Sequence, residues 1–264
     1  MLWDEIKRSA ERIGTDISLI FQEEVQKAIL TALSRKELFN DLVFQGGTAL
    51  RLFYGNPRFS EDLDFVILKD KDAGVLVEHT EHIREFVKES YPFLDEVNIK
   101  VQKDEKVKRL ILKTRSENRE QELRIHIEAF PVPSYDNSAK ILEHRPFYPT
   151  VRVESTKEIL CDKLVALIGR DYVKGRDLWD VYYLVREREE SIEWKLVKKK
   201  LDDYGVKEIN AVDTLKRCKD QGTKILDNEM KRFLPTSVYR NYKGQFDDIV
   251  GLSCDLLDEA SGRL

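Results

Sequence analysis

Apolar residues recur every three or four positions through the first 38 residues of the chain. The residues on this spacing are Ile13, Ile17, Ile20, Phe21, Val25 and Ile29. Such spacing places them on one face of an α-helix. Gly14 falls inside the pattern, and glycine is a poor helix former. The pattern therefore predicts helix from about Asp4 to Leu38, interrupted or restarted near Gly14.

The following residues, up to Ser90, alternate short apolar runs with turn-forming residues. The predicted elements are a strand at 41–45, a tight turn at Gly46-Gly47, a helix at 48–54, a strand at 62–68 and an amphipathic helix at 72–90. Gly55 and Pro57 follow the short helix, where glycine and proline commonly end one.

After residue 92, segments rich in β-branched residues predict strands at 97–101, 107–114 and 123–130. Four prolines then mark a connector, and the pattern becomes helical from Ser155 almost to the end. We therefore expect an α/β (α+β) fold. It has a mixed-sheet lobe with flanking helices over residues 1–150 and a mainly helical lobe over residues 151–264.

The bulk composition indicates a folded globular protein. Hydrophobic residues make up 41% of the 264 residues, an apolar content too high for wholesale disorder. Charged residues make up 36%. The longest apolar stretch, Leu164 to Ile168, is far shorter than the roughly 20 residues that span a bilayer. The amino terminus lacks the apolar core of a secretory signal, so we expect a cytoplasmic protein without a membrane segment. Three widely separated cysteines predict reduced thiols.

The formal net charge of −4 says little about partners, because nucleic-acid binding depends on where the charge lies. A local excess of cations occurs between residues 100 and 124, where there are nine Lys or Arg and five Asp or Glu. The cations are Lys100, Lys103, Lys106, Lys108, Arg109, Lys113, Arg115, Arg119 and Arg124. Either the solvated face of a hairpin or a surface that contacts phosphates explains this excess.

The residues that suggest chemistry are two aspartates and a glycine pair. Asp62 and Asp64 are two apart in a predicted strand, so their side chains point to one face and can hold a divalent cation. Gly46 and Gly47 let the backbone approach a phosphate, and the amides that begin the next helix attract anions. Ser60 adds a hydroxyl nearby. Each feature is common alone, but their order within about twenty residues favours a metal and triphosphate site.

These residues resemble those of the nucleotidyltransferase superfamily, and specifically the AbiEii/AbiGii-type toxin nucleotidyltransferases of toxin–antitoxin and phage-defence systems. The similar segments are Gly46-Gly-Thr-Ala-Leu50, Arg58, Ser60-Glu-Asp-Leu-Asp-Phe65, and a block from Glu158 through Lys163, Arg170 and Asp177 to Asp180. The resemblance covers residues from about 41 to 183. It implies that Asp62 and Asp64 hold the metal ions and that Gly46, Gly47, Thr48 and Ser60 bind the phosphates.

The resemblance also implies a third acidic position on a neighbouring strand, for which Glu128 in Arg124-Ile-His-Ile-Glu-Ala-Phe130 is the candidate; His126 and Glu128 share one face of that strand. A strand with an ordinary solvent-facing side would show the same alternation. His126 is interpreted as a solvated or hydrogen-bonded strand residue. Lys163 is implied to bind the triphosphate, although a cation at the edge of an apolar stripe can also simply extend to solvent. Asp177 borders the buried face of the next helix and is a catalytic candidate, whereas Asp180 is interpreted as a solvated or capping carboxylate.

The resulting expectation is transfer of a nucleoside monophosphate from a nucleoside triphosphate to an acceptor hydroxyl. Two Mg²⁺ ions are the expected cofactors, with Mn²⁺ as the alternative. The resemblance implies an RNA acceptor such as transfer RNA, and a cognate antitoxin protein. The alternatives are phosphoryl transfer on the same fold, as in a kinase, and an inert module that binds an antitoxin. Any RNA is expected to cross the basic strands near Lys100, Lys103, Lys106, Lys108, Arg109 and Lys113.

Overall fold

A computed structural model describes residues 3–102, 107–116, 122–206 and 211–264. The chain divides into two compact units. The first unit comprises Met1–Gly55 and Phe59–Glu154, and the second comprises Asn56–Arg58 and Ser155–Leu264. None of the helices in the described ranges combines the length and the apolar composition needed to cross a bilayer.

The first unit is a seven-stranded mixed sheet with helices packed against it. Its helices are α1 (Trp3–Ile13), α2 (Ile17–Arg35), α3 (Gly46–Tyr54), α4 (Val75–Glu78) and α5 (Thr80–Ser90). Its strands are β1 (Leu42–Gln45), β2 (Leu63–Ile67), β3 (Glu96–Gln102), β4 (Lys108–Arg115), β5 (Arg124–Pro133), β6 (Asn137–Ile141) and β7 (Thr150–Glu154). The order across the sheet is β3-β4-β5-β2-β1-β7-β6. The predicted α/β class is confirmed.

The break between the first two helices lies where the glycine predicted it. Gly14 adopts a positive φ of 72°, a conformation that favours glycine and ends α1. Asp16 then begins α2 by accepting a hydrogen bond from the amide of Ser18 at 2.8 Å.

The helix expected over residues 72–90 is in fact two helices. Side chains at the junction bond backbone carbonyls of the preceding turn: His79 Nδ1 lies 3.0 Å from the carbonyl oxygen of Val75, and the Thr80 hydroxyl donates to that of Val77 at 2.7 Å. Such local bonds compete with the regular helix, which explains the break between α4 and α5.

The sheet continues beyond the predicted strands. β6 and β7 lie in the stretch interpreted as a connector, and β7 pairs with β1 in parallel. β5 also runs through two prolines to Pro133.

The two faces of the sheet differ in polarity. Leu63 and Phe65 of β2, Leu110 of β4 and Ile127 of β5 are all buried on one face. Alternation places Asp64, Arg109 and Glu128 on the other face, because successive strand residues point to opposite sides. At these positions the buried apolar side chains therefore lie on the opposite face from the acidic residues.

The second unit is helical, as predicted from residue 155 onward. Its helices are α6 (Thr156–Gly169), α7 (Gly175–Tyr182), α8 (Trp194–Asp203), α9 (Ala211–Phe233), α10 (Thr236–Tyr242) and α11 (Phe246–Arg263). Ser155 begins α6 by accepting from the amide of Glu158 at 3.1 Å. Gly175 lets α7 cross α9 closely, since a β-carbon there would lie 2.9 Å from the carbonyl oxygen of Ile225.

Candidate active site

Two carboxylates face each other across adjacent parallel strands in the first unit. Asp64 of β2 is directly opposite Glu128 of β5, and Asp62 lies one residue before β2. Neighbouring strands are about 4.8 Å apart, so the three residues occupy one small area of the sheet. All three side chains are partly exposed, whereas Leu63 between the aspartates is fully buried. The structure therefore brings together Asp62, Asp64 and Glu128, three of the four acidic residues named as catalytic candidates from the sequence.

The backbone that leads to these aspartates is held by three side chains. Gln26 Nε2 donates to the carbonyl oxygen of Ser60 at 3.0 Å, and Gln22 Nε2 donates to that of Glu61 at 2.8 Å. The Thr48 hydroxyl donates to the carbonyl oxygen of Asp62. Three consecutive carbonyls are thus fixed by α2 and α3, and this limits the positions that the Asp62 backbone can take.

The role expected for Thr48 is changed by this contact. Its single hydroxyl proton is used by the Asp62 carbonyl, so the side chain orders the loop. The backbone amide of Thr48 is a separate group, among the first amides of α3, which have no intrahelical acceptor. Gln45, at the helix start, makes no side-chain capping bond to them.

Gly46 lies against the Asp64 carboxylate at the start of α3. Its φ is +80°, and a β-carbon built there would be 3.0 Å from Asp64 Oδ2. Glycine is therefore required for both the backbone conformation and the close approach. Gly46 and Gly47 are both buried. The predicted helix is present but begins at Gly46, so the two glycines form its first turn and no separate tight turn precedes it. This places the positive end of α3 beside an aspartate.

Glu128 is held by a cation on the neighbouring strand. Arg109 Nε lies 2.6 Å from Glu128 Oε1, and His126 Nδ1 lies 3.7 Å from the same oxygen. Arg109 is opposite Glu128 in the antiparallel β4–β5 pair, so the contact follows from the register. Arg109, expected from the sequence to contact RNA, instead neutralises this carboxylate.

The donor set fits a divalent cation at the two aspartates. Carboxylate oxygens are the ligands that hard divalent ions prefer, and Asp62 and Asp64 offer them on a partly exposed surface. Glu128 lies on the same face, but it already shares its charge with Arg109. Its contribution to a metal site would therefore depend on that ion pair.

Lys163 and Asp177 belong to the second unit, where they form part of a buried charge network. Lys163 Nζ lies 2.9 Å from Asp177 Oδ1 and 2.8 Å from Asp180 Oδ2. Arg170 binds the other oxygen of Asp177. Arg58 binds both oxygens of Asp180, through Nε at 2.6 Å and Nη2 at 2.5 Å. Lys163 is thus held between two carboxylates instead of extending to solvent.

The interpretation of Asp180 as a solvated or capping residue was wrong. Asp180 is fully buried, and Asn56 Nδ2 donates a further bond to it at 2.9 Å. Burial disfavours its charged form, but Arg58 and Lys163 outweigh that effect and lower its pKa. Burial likewise opposes the charge on Lys163, yet Asp177 and Asp180 raise its pKa. The network is therefore charged at neutral pH.

A second pair of buried carboxylates in this unit is already neutralised. Lys200 is fully buried and its Nζ lies 2.5 Å from Glu158 Oε1 and 3.2 Å from Asp162 Oδ2. An ammonium ion thus binds these carboxylates as a metal cation would. The pair is explained as a structural ion pair of the helical unit.

Sequence reasoning did not find Gln22, Gln26 or Asn56. A signal for the first two exists, because they are polar residues four apart in a helix whose neighbours are largely apolar and buried. Four-residue spacing puts them on one face of α2. Their partners are backbone carbonyls distant in sequence, and these could not be inferred from spacing.

The chain matches the family model described as "Nucleotidyl transferase AbiEii toxin, Type IV TA system" over residues 28–251. It belongs to this family. The resemblance to this family found over residues 41 to 183 is confirmed, and this AbiEii family member is a nucleotidyltransferase. None of the curated proteins compared with it is significantly similar in sequence.

Two solved structures share the fold of this AbiEii family member. JHP933 from Helicobacter pylori is 22% identical with a TM-score of 0.54, covering 92% of this chain and 95% of its own. A second H. pylori structure, described as a nucleotidyltransferase, is also 22% identical with a TM-score of 0.54 and covers 90% and 95%. At this identity the likeness is one of fold alone.

Proposed function

We propose that this protein transfers a nucleoside monophosphate from a nucleoside triphosphate to an acceptor hydroxyl of RNA, with transfer RNA as the first candidate. The observation that carries the proposal is the position of Asp64, which faces Glu128 across β2 and β5 and contacts the start of α3 at Gly46. Carboxylates beside uncapped helix amides form a place where a metal ion and a phosphate group can be held together.

In the proposed reaction, the acceptor oxygen forms a bond to the α-phosphorus of the triphosphate. The bond from that phosphorus to the oxygen that bridges to the β-phosphate breaks, and pyrophosphate leaves with the bonding electrons. The acceptor hydroxyl loses its proton to solvent or to a nearby carboxylate. The amides of Gly46, Gly47 and Thr48, with the Ser60 hydroxyl, are assigned to the phosphates, because donors fixed in advance stabilise charge without rearrangement.

Asp62 and Asp64 are assigned as ligands of Mg²⁺, two ions being expected and Mn²⁺ serving as the alternative. Such ions, when bound, neutralise charge on the phosphoryl group during transfer. The residues of this chain do the positioning: Gln22, Gln26 and Thr48 hold the backbone on which these ligands lie. Glu128 is assigned a supporting role at the same site, shared with Arg109.

We assign catalysis to the sheet lobe of residues 1–150 and a supporting role to the helical lobe of residues 151–264. Lys163 and Asp177 enter this proposal through the family resemblance, as the residues for the triphosphate. Their ion pair at 2.9 Å means that removal of either one leaves the other's charge buried. A loss of activity alone would therefore not assign a role to them, and triphosphate binding by a folded variant is the required measurement.

Membership of a toxin family supports two further parts of the proposal. The protein acts as the toxin of a toxin–antitoxin or phage-defence system in the cytoplasm, and a cognate antitoxin protein opposes it. Expression of the protein should arrest growth, and Asp62→Asn or Asp64→Asn should remove that arrest, which would support the toxin role. Rescue of growth by a co-expressed neighbouring gene product would support the antitoxin.

The deciding experiment is mass spectrometry of acceptors after incubation with each triphosphate and Mg²⁺. A whole nucleotide added to RNA is the expected result. An increment of one phosphate on RNA or protein would instead indicate kinase-like transfer, and no increment on any acceptor would favour an inert antitoxin-binding module. Asp62→Asn is the matched negative control, because it keeps the shape of the side chain and removes its charge.

A further inference from the structure

Strands β3, β4 and β5 carry a group of exposed cations beside the acidic residues. Lys100 of β3, Lys113 and Arg115 of β4, and Arg124 of β5 are all exposed. We define these four residues as the cationic face.

The strand register fixes the side of the sheet on which these cations lie. Arg109 is opposite Glu128, and Lys113, four residues further along β4, is opposite Arg124 of β5. Residues directly opposite in an antiparallel pair project to the same face, and so do residues an even number apart in one strand. Lys113 and Arg124 therefore share the face of Glu128, and hence that of Asp64.

The third strand adds to the same face. Lys100 is opposite Ile111, which lies between Arg109 and Lys113 on the alternation of β4. Residues directly opposite one another across β5, β4 and β3 form rows on this face. The row next to the one that contains Glu128 consists of His126, Ile111 and Lys100, and the following row consists of Arg124, Lys113 and Asn98. Strand residues two apart are separated by about 7 Å, so the cations begin within one or two rows of the acidic site.

Charge is arranged on the cationic face to suit a phosphate chain. The two rows that follow Glu128 contain no acidic residue among those six described positions, and the row beyond pairs Arg115 with Glu96. Lys108, by contrast, is opposite Ala129 and points to the other side of the sheet. The local cation excess seen in the sequence is therefore divided between two faces.

We infer that the cationic face binds the sugar–phosphate backbone of the RNA acceptor and leads its reacting end to Asp62 and Asp64. This inference rests on the proposed function for the identity of the acceptor. Of the six residues expected from the sequence to contact RNA, it retains Lys100 and Lys113, excludes Lys108 and Arg109, and adds Arg115 and Arg124. Lys103 and Lys106 lie outside the described residues.

Backbone binding makes a quantitative prediction because phosphate contacts release counterions. Each contact to a single strand contributes about 0.7 to the slope of log affinity against log salt. Replacing Lys100, Lys113 and Arg124 together with Gln removes three contacts. The salt slope should then fall by about two, and the affinity at low salt should fall at least about tenfold.

The test measures binding of a labelled single-stranded RNA to the full chain by fluorescence anisotropy over a salt series, without triphosphate. The triple variant is compared with Lys108→Gln, which removes a cation from β4 on the opposite face and should bind as the wild type does. Circular dichroism verifies that both variants are folded. An unchanged affinity and slope in the triple variant, or an equal loss in Lys108→Gln, overturns the inference.

Nucleotide transfer is measured in parallel so that the two proposals fail separately. RNA that binds through the cationic face but gains no nucleotide would leave this inference standing and contradict the proposed function. Transfer to RNA that persists at the wild-type KM in the triple variant would uphold the proposed function and overturn the cationic face as its docking surface.

Discussion

Gly46 and Asp64 are in such close contact that a β-carbon on residue 46 would lie 3.0 Å from Asp64 Oδ2 and 3.4 Å from Asp64 Cβ. The first residue of α3 and the acidic residue of β2 are thus fitted to each other. The contact joins the two sequence features, the glycine pair and the Asp-x-Asp strand, that first suggested chemistry.

Gly46→Ala should reduce nucleotide transfer strongly. A side chain at φ +80° costs about 1–2 kcal/mol in backbone strain, and the added methyl group must also displace the Asp64 carboxylate. We expect the kcat of the folded variant to fall, so that the loss of activity is larger than partial unfolding alone would cause. Gly251→Ala is the control, since no atom lies within 4 Å of its added β-carbon. Equal activity of Gly46→Ala and wild type would show that the position of Asp64 is not critical.

Asp62→Asn and Asp64→Asn should each reduce transfer by at least about a hundredfold while the melting temperature stays nearly constant. The amide keeps the side-chain volume but removes the charge that a divalent ion requires. Asp70→Asn, an exposed aspartate three residues after β2, is the matched control. Full activity in either active-site variant would refute the metal assignment, and unfolding would indicate a structural role.

Gln26→Leu should lower both stability and the apparent affinity for Mg²⁺. The Ser60 carbonyl would lose its partner in a partly buried setting, at a cost of about 1–3 kcal/mol. The loop before Asp62 would also gain freedom, so more Mg²⁺ should be needed for half-maximal transfer. Gln22→Leu should act in the same direction through the Glu61 carbonyl. A stability loss without any change in the Mg²⁺ midpoint would limit these glutamines to a purely structural role.

Lys163→Met should destabilise the protein, by about 1–3 kcal/mol, because it removes the ammonium group that joins Asp177 and Asp180, while Arg170 and Arg58 still pair with these carboxylates. This differs from the alternative drawn from the sequence alone, in which Lys163 simply extends to solvent from the edge of an apolar stripe. Chemical denaturation measures the effect, and triphosphate binding by the folded fraction tests the proposed role in the reaction. An unchanged denaturation midpoint would contradict the network.

Asp180→Asn should lower the melting temperature at neutral pH. It should also make the melting temperature depend less on pH in the acid range. Arg58 and Lys163 overcome the effect of burial and lower the Asp180 pKa, so its stabilising effect is complete above about pH 4, the value of an unfolded aspartate. That stabilisation is lost as the pH falls below about 4 through the folded-state pKa. Melting temperatures of both proteins from pH 7 to acid should therefore converge, and parallel curves would contradict the assignment.

Local patterns predicted much of the fold, and two elements differ from the prediction for different reasons. Helical spacing located α2, and the glycine at position 14 located the break before it, because both depend on residues close in sequence. The helix expected over 72–90 was wrong because His79 and Thr80 bond the turn before them. β7 was missed because its pairing partner, β1, is distant in the chain.

The sequence by itself determined the acidic pair, the glycine turn and the family, since alternation along one strand and residue order are local properties of the chain. Only the tertiary structure decided which residues those groups meet. Strand register placed Glu128 opposite Asp64 and gave it Arg109, and it divided the cations between two faces. Helix packing buried Asp180 against Arg58. These outcomes depend on contacts between residues far apart in sequence, which no local spacing encodes.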